Sequence, residues 1–103
     1  MEVKNIKTID VNGKEWFDKV SGNSYFSCVI NINYKLKDEV ILKIPFTYGY
    51  DEQYLYDSLG KIREFLNIKR DHKPLWLFCE ENNIILRYDK KENCLKKELK
   101  NGS

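Results

Sequence analysis

The chain has 103 residues, 42% of them apolar and 33% charged, with a formal net charge of +2. That is one domain's worth, long enough to bury roughly two-thirds of its unfolded surface without disulfides or metal as staples. The near-balance of sign disfavours both a non-specific grip on nucleic-acid backbones and an acidic nucleic-acid mimic.

Cys28, Cys79 and Cys94 are an odd set with no C-x-x-C spacing, and the sole histidine is His72. Such usage disfavours a disulfide framework and a zinc site and suits reduced, metal-free thiols in a cytosol. No apolar run approaches the roughly 20 residues of a membrane span, and the N-terminus lacks a signal-peptide pattern. The expectation is one soluble, unexported domain over residues 1–100, without a membrane partner and with a disordered tail at 101–103.

Residues 6–11 read as a first strand, closed by the turn dipeptide Asn12-Gly13. The next segment, WFDKVSGNSYFS over residues 16–27, reads as a hairpin about Gly22-Asn23. A two-residue loop there sets Val20 opposite Tyr25 and Trp16 opposite Val29. Alternation then puts Phe17, Phe26, Cys28, Ile30 and Ile32 on the core face. Trp16, Asp18, Val20, Tyr25, Ser27, Val29 and Asn31 gather on the other, which we expect to stay open as a recognition surface.

Residues 39–50 read as a further strand with Val40, Leu42, Ile44 and Phe46 inward, and with Tyr48 and Tyr50 continuing that parity. Pro45 cannot donate a ladder hydrogen bond and predicts an edge strand or a bulge. Asp51 suits an N-cap, and Leu55, Leu59, Ile62 and Leu66 form one apolar helical stripe. Gly60 within it marks either a close approach to the sheet or a tolerated defect.

A second helix is expected from about Asp71, with Pro74 in its first turn and Leu75, Phe78 and Cys79 inward. Residues 84–88 alternate as a strand, and residues 94–99 either return as a last strand or dock as a tail. The order β-β-β-β-α-α-β, with a last β as an option, predicts an α+β fold: an antiparallel sheet with two helices packed on one face.

No catalytic or metal residues are assigned. His72 lies in a solvated basic stretch, Cys28 and Cys79 sit at packing positions, and Asp51-Glu52 suits a helix start better than a carboxylate dyad. The basic clusters at 61–73 and 90–100 are interleaved with acids and read as solvated faces. Phe46, Phe65 and Phe78 read as core. The binding candidates are Trp16, Tyr48 and Tyr50, supported by Lys19, Asn23, Tyr25 and Arg87. Aromatic planes beside cations suit a nucleotide and equally a protein hot spot.

The segments WFDKVSGNSY at 16–25 and PFTYGY at 45–50, with a helix next, resemble small proteins of tailed bacteriophages and prophages, over about residues 6–99. Those proteins often carry a glycine after Tyr-Gly-Tyr, where this chain has Asp51. The resemblance implies an accessory phage protein in the bacterial cytoplasm that antagonises host defence, with no catalytic residues to transfer. The preferred expectation is a non-enzymatic binder sequestering a nucleotide immune signal. The alternatives are an inhibitor of a host defence protein or a small enzyme cleaving a signalling nucleotide. No cofactor is expected, nucleic acid is disfavoured as a partner, and a homo-oligomer stays open.

Overall fold

The computed structural model describes residues 1–100, so the tail expected at 101–103 lies outside the described residues. Four strands form one sheet: β1 (Thr8–Asp18), β2 (Asn23–Ile32), β3 (Val40–Tyr48) and β4 (Ile85–Lys91), in the spatial order β3-β2-β1-β4. Between β3 and β4 run α1 (Gln53–Leu66) and α2 (Leu75–Glu81), and α3 (Lys96–Lys100) ends the described chain. The fold is α+β, as expected, with strands first, then two helices, then a strand.

The sheet is mixed. β1, β2 and β3 pair antiparallel, whereas β4 returns parallel to β1 along its free edge. The turn expected at Asn12-Gly13 does not form, and β1 runs straight through it. Pairing on both sides overrides the local turn preference there, since Gly13 meets Cys28 on β2 and Lys90 on β4. Tyr54 also sits close overhead, with a ring carbon 3.0 Å from where a Cβ at Gly13 would lie.

The β1–β2 loop holds four residues rather than two. Asp18 decides this, because its carboxylate accepts hydrogen bonds from the backbone N–H of Val20 at 3.0 Å and the hydroxyl of Ser21 at 2.9 Å. Those bonds, led by Ser21, hold the Asp18 carboxyl below its usual range. Gly22 closes the loop with φ +76°. Trp16 therefore faces Tyr25 instead of Val29, a shift of four residues. An even shift keeps every side chain on its face. Phe26, Cys28, Ile30 and Ile32 are buried as expected, while Phe17, near the strand end, is 48% exposed.

β3 is the other edge strand and carries a bulge at Pro45-Phe46, opposite Ser27. The extra residue reverses the parity expected beyond Ile44. Phe46 leaves the core face and stacks on Tyr25, with centroids 4.9 Å apart. Phe65 is likewise no core residue, since it points to solvent from α1.

On the core face, α1 packs over β2 and β3 and α2 over β4. Leu59 and Ile62 are buried with Tyr54, Leu75, Phe78 and Cys79 above Ile9, Val11, Phe26, Cys28 and Ile30. The Cys28 Sγ lies 3.4 Å from the Ser58 hydroxyl. Asp51 is not the N-cap. Glu52 holds that place, while Asp51 takes a left-handed conformation with φ +52° at the strand-to-helix corner. A glycine would adopt it without strain. Asn33 ties β1 to the end of β2: its side-chain oxygen accepts from the N–H of Lys7 at 2.6 Å and Thr8 at 3.3 Å, and its amide donates to the Asn5 carbonyl at 2.9 Å.

The opposite sheet face is not left open around Trp16. Residues 94–99 form no strand. The buried side chains of Cys94 and Leu99 and the short helix α3 settle against β1, β2 and β3 at the Trp16 end.

Candidate functional site

Of the seven residues singled out in the sequence, five fall into two groups that share Tyr48, and two stand apart. Trp16 and Tyr25 form a stack with Phe46, at centroid distances of 5.6 Å for Trp16–Tyr25 and 4.9 Å for Tyr25–Phe46, and Tyr48 meets Tyr25 edge-on at 5.8 Å. The ammonium groups of Lys96 and Lys100 lie over the Trp16 and Phe46 rings, each at 5.3 Å. These rings thus satisfy one another beneath α3.

Tyr48 and Tyr50 also meet Asn23 around a shallow hollow that includes Glu15 and Asp51. Its neighbouring cation is spoken for. The Lys90 ammonium bonds Glu15 at 3.0 Å and the Asp51 carbonyl at 2.7 Å, and it lies 5.5 Å from the Tyr54 ring centre. The Asp51 carboxylate that remains disfavours a phosphate there.

Lys19 and Arg87 join neither group. Lys19 sits in the exposed hairpin loop. Arg87 makes a two-pronged ion pair with Asp10, at 2.6 and 3.0 Å, which raises its pKa. Asp10 is six residues from Trp16 along β1, or about 20 Å at strand rise.

A different site lies on the helix side of the sheet. α1 packs over β2 and β3, α2 over β4, and the gap between them is a groove of about 280 Å³. One face of α1 lines it with Glu52, Leu55, Tyr56, Leu59, Gly60 and Arg63, at the helical spacing 3-1-3-1-3. The far wall is Leu75 and Trp76 of α2, with Leu86 and Tyr88 of β4. Tyr56, Trp76 and Tyr88 stand at the rim 60%, 59% and 55% exposed, and among the described residues no other ring stacks on them.

The cations at one end of the groove are not equivalent. Arg63 is almost fully buried, donates to the Asp71 carboxylate at 2.7 Å and its carbonyl at 3.1 Å, and lies over the Phe78 ring. Asp71 also accepts the Lys73 N–H at 2.7 Å, and these bonds hold its carboxyl below the usual range. The Lys73 ammonium is paired with Glu81. Arg70 alone of the three meets no acceptor among the described residues, and its guanidinium lies against α1 at Gly60. Gly60 is therefore not the close approach to the sheet offered by the sequence: the neighbour it meets is the Arg70 side chain.

Sequence reasoning missed this site because its walls come from three separate segments. The available signal was Tyr56 and Trp76, large aromatics on helices but off their buried stripes.

The three cysteines lie apart from the groove and are all buried. Burial pushes the Cys28 and Cys79 thiols up to about 11, far from a reactive thiolate. Among the described residues no group of three or more His, Cys, Asp or Glu side chains is arranged to hold a metal ion. No helix of the described chain is long and apolar enough to cross a membrane. No protein-family model, curated protein or solved structure matches this chain.

Proposed function

We propose that this chain is a non-enzymatic binding module whose α1–α2–β4 groove takes a small anionic aromatic ligand of the nucleotide class. One observation carries the reading: exposed Tyr56, Trp76 and Tyr88 rim an apolar groove beside Arg70, which meets no acceptor among the described residues. Rings supply stacking that tolerates any base, and a free guanidinium supplies charge for phosphate. The groove's volume lies just below the usual span of ligand sites, roughly 300 to 1,000 Å³. That suits a nucleotide-sized ligand better than an extended polymer.

Joined to the phage resemblance of the sequence, the reading becomes a phage accessory protein acting in the bacterial host cytoplasm. It would counter immunity by sequestering a nucleotide signal. A second reading, direct inhibition of a host defence protein, is favoured by the Trp, Tyr and Arg make-up of the same rim, which is that of interface hot spots.

The test is to incubate the protein with a panel of cyclic and linear nucleotides, remove free ligand, and heat the protein to release what it holds. Release of an intact nucleotide supports sequestration, and an altered one supports cleavage instead. No depletion of any nucleotide removes the nucleotide reading and leaves inhibition of a protein.

A further inference from the structure

We infer that Arg70 is the anion-pairing residue of the groove and that Gly60 is the position that allows it to serve, which rests on the nucleotide reading above and gives the site a direction. A Cβ built on Gly60 would lie 2.2 Å from an Arg70 terminal nitrogen and 3.2 Å from its guanidinium carbon. A side chain at position 60 would push the guanidinium, the end of an exposed and flexible arginine, away from this resting place against α1. The backbone of Gly60 is ordinary helix, so no turn or positive φ calls for glycine there. Its use at a buried helix position, where alanine favours helix more, is accounted for by the arginine.

Charge around the groove gives the direction. Arg63 is neutralised by Asp71 and Lys73 by Glu81, so neither offers an open pairing position. Glu52 lies eight residues before Gly60 on the same face of α1, about 12 Å away at helix rise. Its carboxylate repels an anion from that end and accepts hydrogen bonds from an exocyclic amino group or a ribose hydroxyl. A ligand with an anionic end and a donor-bearing ring therefore lies along α1 with the anion at Arg70, the ring among Tyr56, Trp76 and Tyr88, and the donor toward Glu52.

The test titrates the full chain by calorimetry with the four ribonucleosides, their 5′-monophosphates and 3′,3′-cyclic dinucleotides, against wild type, Arg70→Gln and Gly60→Ala. A charge-assisted bond to phosphate predicts that a phosphorylated probe binds wild type at least about tenfold tighter than its nucleoside. Both variants should erase that difference, with the loss falling on the phosphorylated probes. Gly60→Ala should do so while its thermal midpoint holds or rises, a combination that a merely structural glycine would not give. If phosphorylated probes bind and neither variant weakens them, the Arg70 assignment is overturned and the groove reading stands. If no probe binds wild type, both fall together.

Discussion

Replacing Trp16 and Trp76 one at a time separates packing from recognition, because the two tryptophans have opposite surroundings. Trp16 touches Tyr25 and Phe46 at centroid distances of 5.6 and 6.2 Å and has the Lys96 ammonium 5.3 Å above it. Each aromatic pair contributes about 0.5–1.5 kcal/mol beyond its burial. A cation over a partly exposed ring adds about 0.5 kcal/mol. Trp16→Ala should therefore cost about 2–3 kcal/mol, which for a domain of this size lowers the thermal midpoint by roughly 10–20 °C. Trp76 stands 59% exposed on α2, and its removal should change stability by no more than about 0.5 kcal/mol. Its loss from a stacked ligand should cost about 1–3 kcal/mol, or roughly 5- to 150-fold in affinity. Differential scanning calorimetry reads the first quantity and titration with the nucleotide that the release assay identifies reads the second. Tyr48→Ala combined with Tyr50→Ala serves as a control and should leave groove binding within about twofold. A folded Trp16→Ala protein with a wild-type midpoint and no binding would refute the reasoning, as would a Trp76→Ala protein that binds like wild type.

Three further outcomes follow from individual contacts. Asp51 has φ +52°, so Asp51→Ala should destabilise the domain by about 1 kcal/mol in urea titration, while Asp51→Gly should be neutral or better. Asp71 has its carboxyl held below the ordinary value of 3.8, first by the Lys73 backbone and then by Arg63. A group with a depressed folded pKa stabilises above its unfolded value and loses that contribution as pH falls through the folded one. Asp71→Asn should accordingly flatten the loss of stability below about pH 4 in acid titrations, and an unchanged acid limb would count against the Arg63–Asp71 clamp. Cys28 and Cys79, with thiols pushed up to about 11 by burial, should resist iodoacetamide at neutral pH in the native protein and react once it is unfolded in guanidinium, read by mass spectrometry.

The α1 stripe was legible because Leu59 and Ile62 repeat at the period of the helix that buries them. The hairpin faces were legible for a weaker reason. The Asp18 carboxylate lengthened the loop, but it moved the register by an even number of residues and so exchanged partners without exchanging faces. Phe46 had no such protection. A single extra residue at Pro45-Phe46 is an odd displacement, and it carried Phe46 and Tyr48 out of the core parity and into the Trp16 stack. Pro45 signalled a bulge or an edge, but the signal did not say to which face the next residue would turn. The strand through Asn12-Gly13 depended on β2 and β4 closing on it from both sides, which no local dipeptide encodes.

The two aromatic groups follow from the path of the chain. β3 ends at one edge of the sheet and β4 must reach the other, beside and parallel to β1. A parallel return needs a crossover, and here two helices make it. α1 lies over β2 and β3, and α2 drops onto β4, so the helices diverge where Asn67 turns left-handed with φ +56° and the Arg63–Asp71 pair fixes the following loop. Divergence leaves the groove between them, with Leu86 and Tyr88 of β4 in its far wall. Across the sheet, Trp16, Tyr25 and Phe46 have one another and the lysines of α3 to cover them. Tyr56, Trp76 and Tyr88 have no comparable cover among the described residues, although polar side chains at those exposed positions would cost the fold little. Apolar area concentrated at a groove, beside a guanidinium that meets no acceptor among the described residues, is better explained by what enters the groove than by the stability of the empty domain.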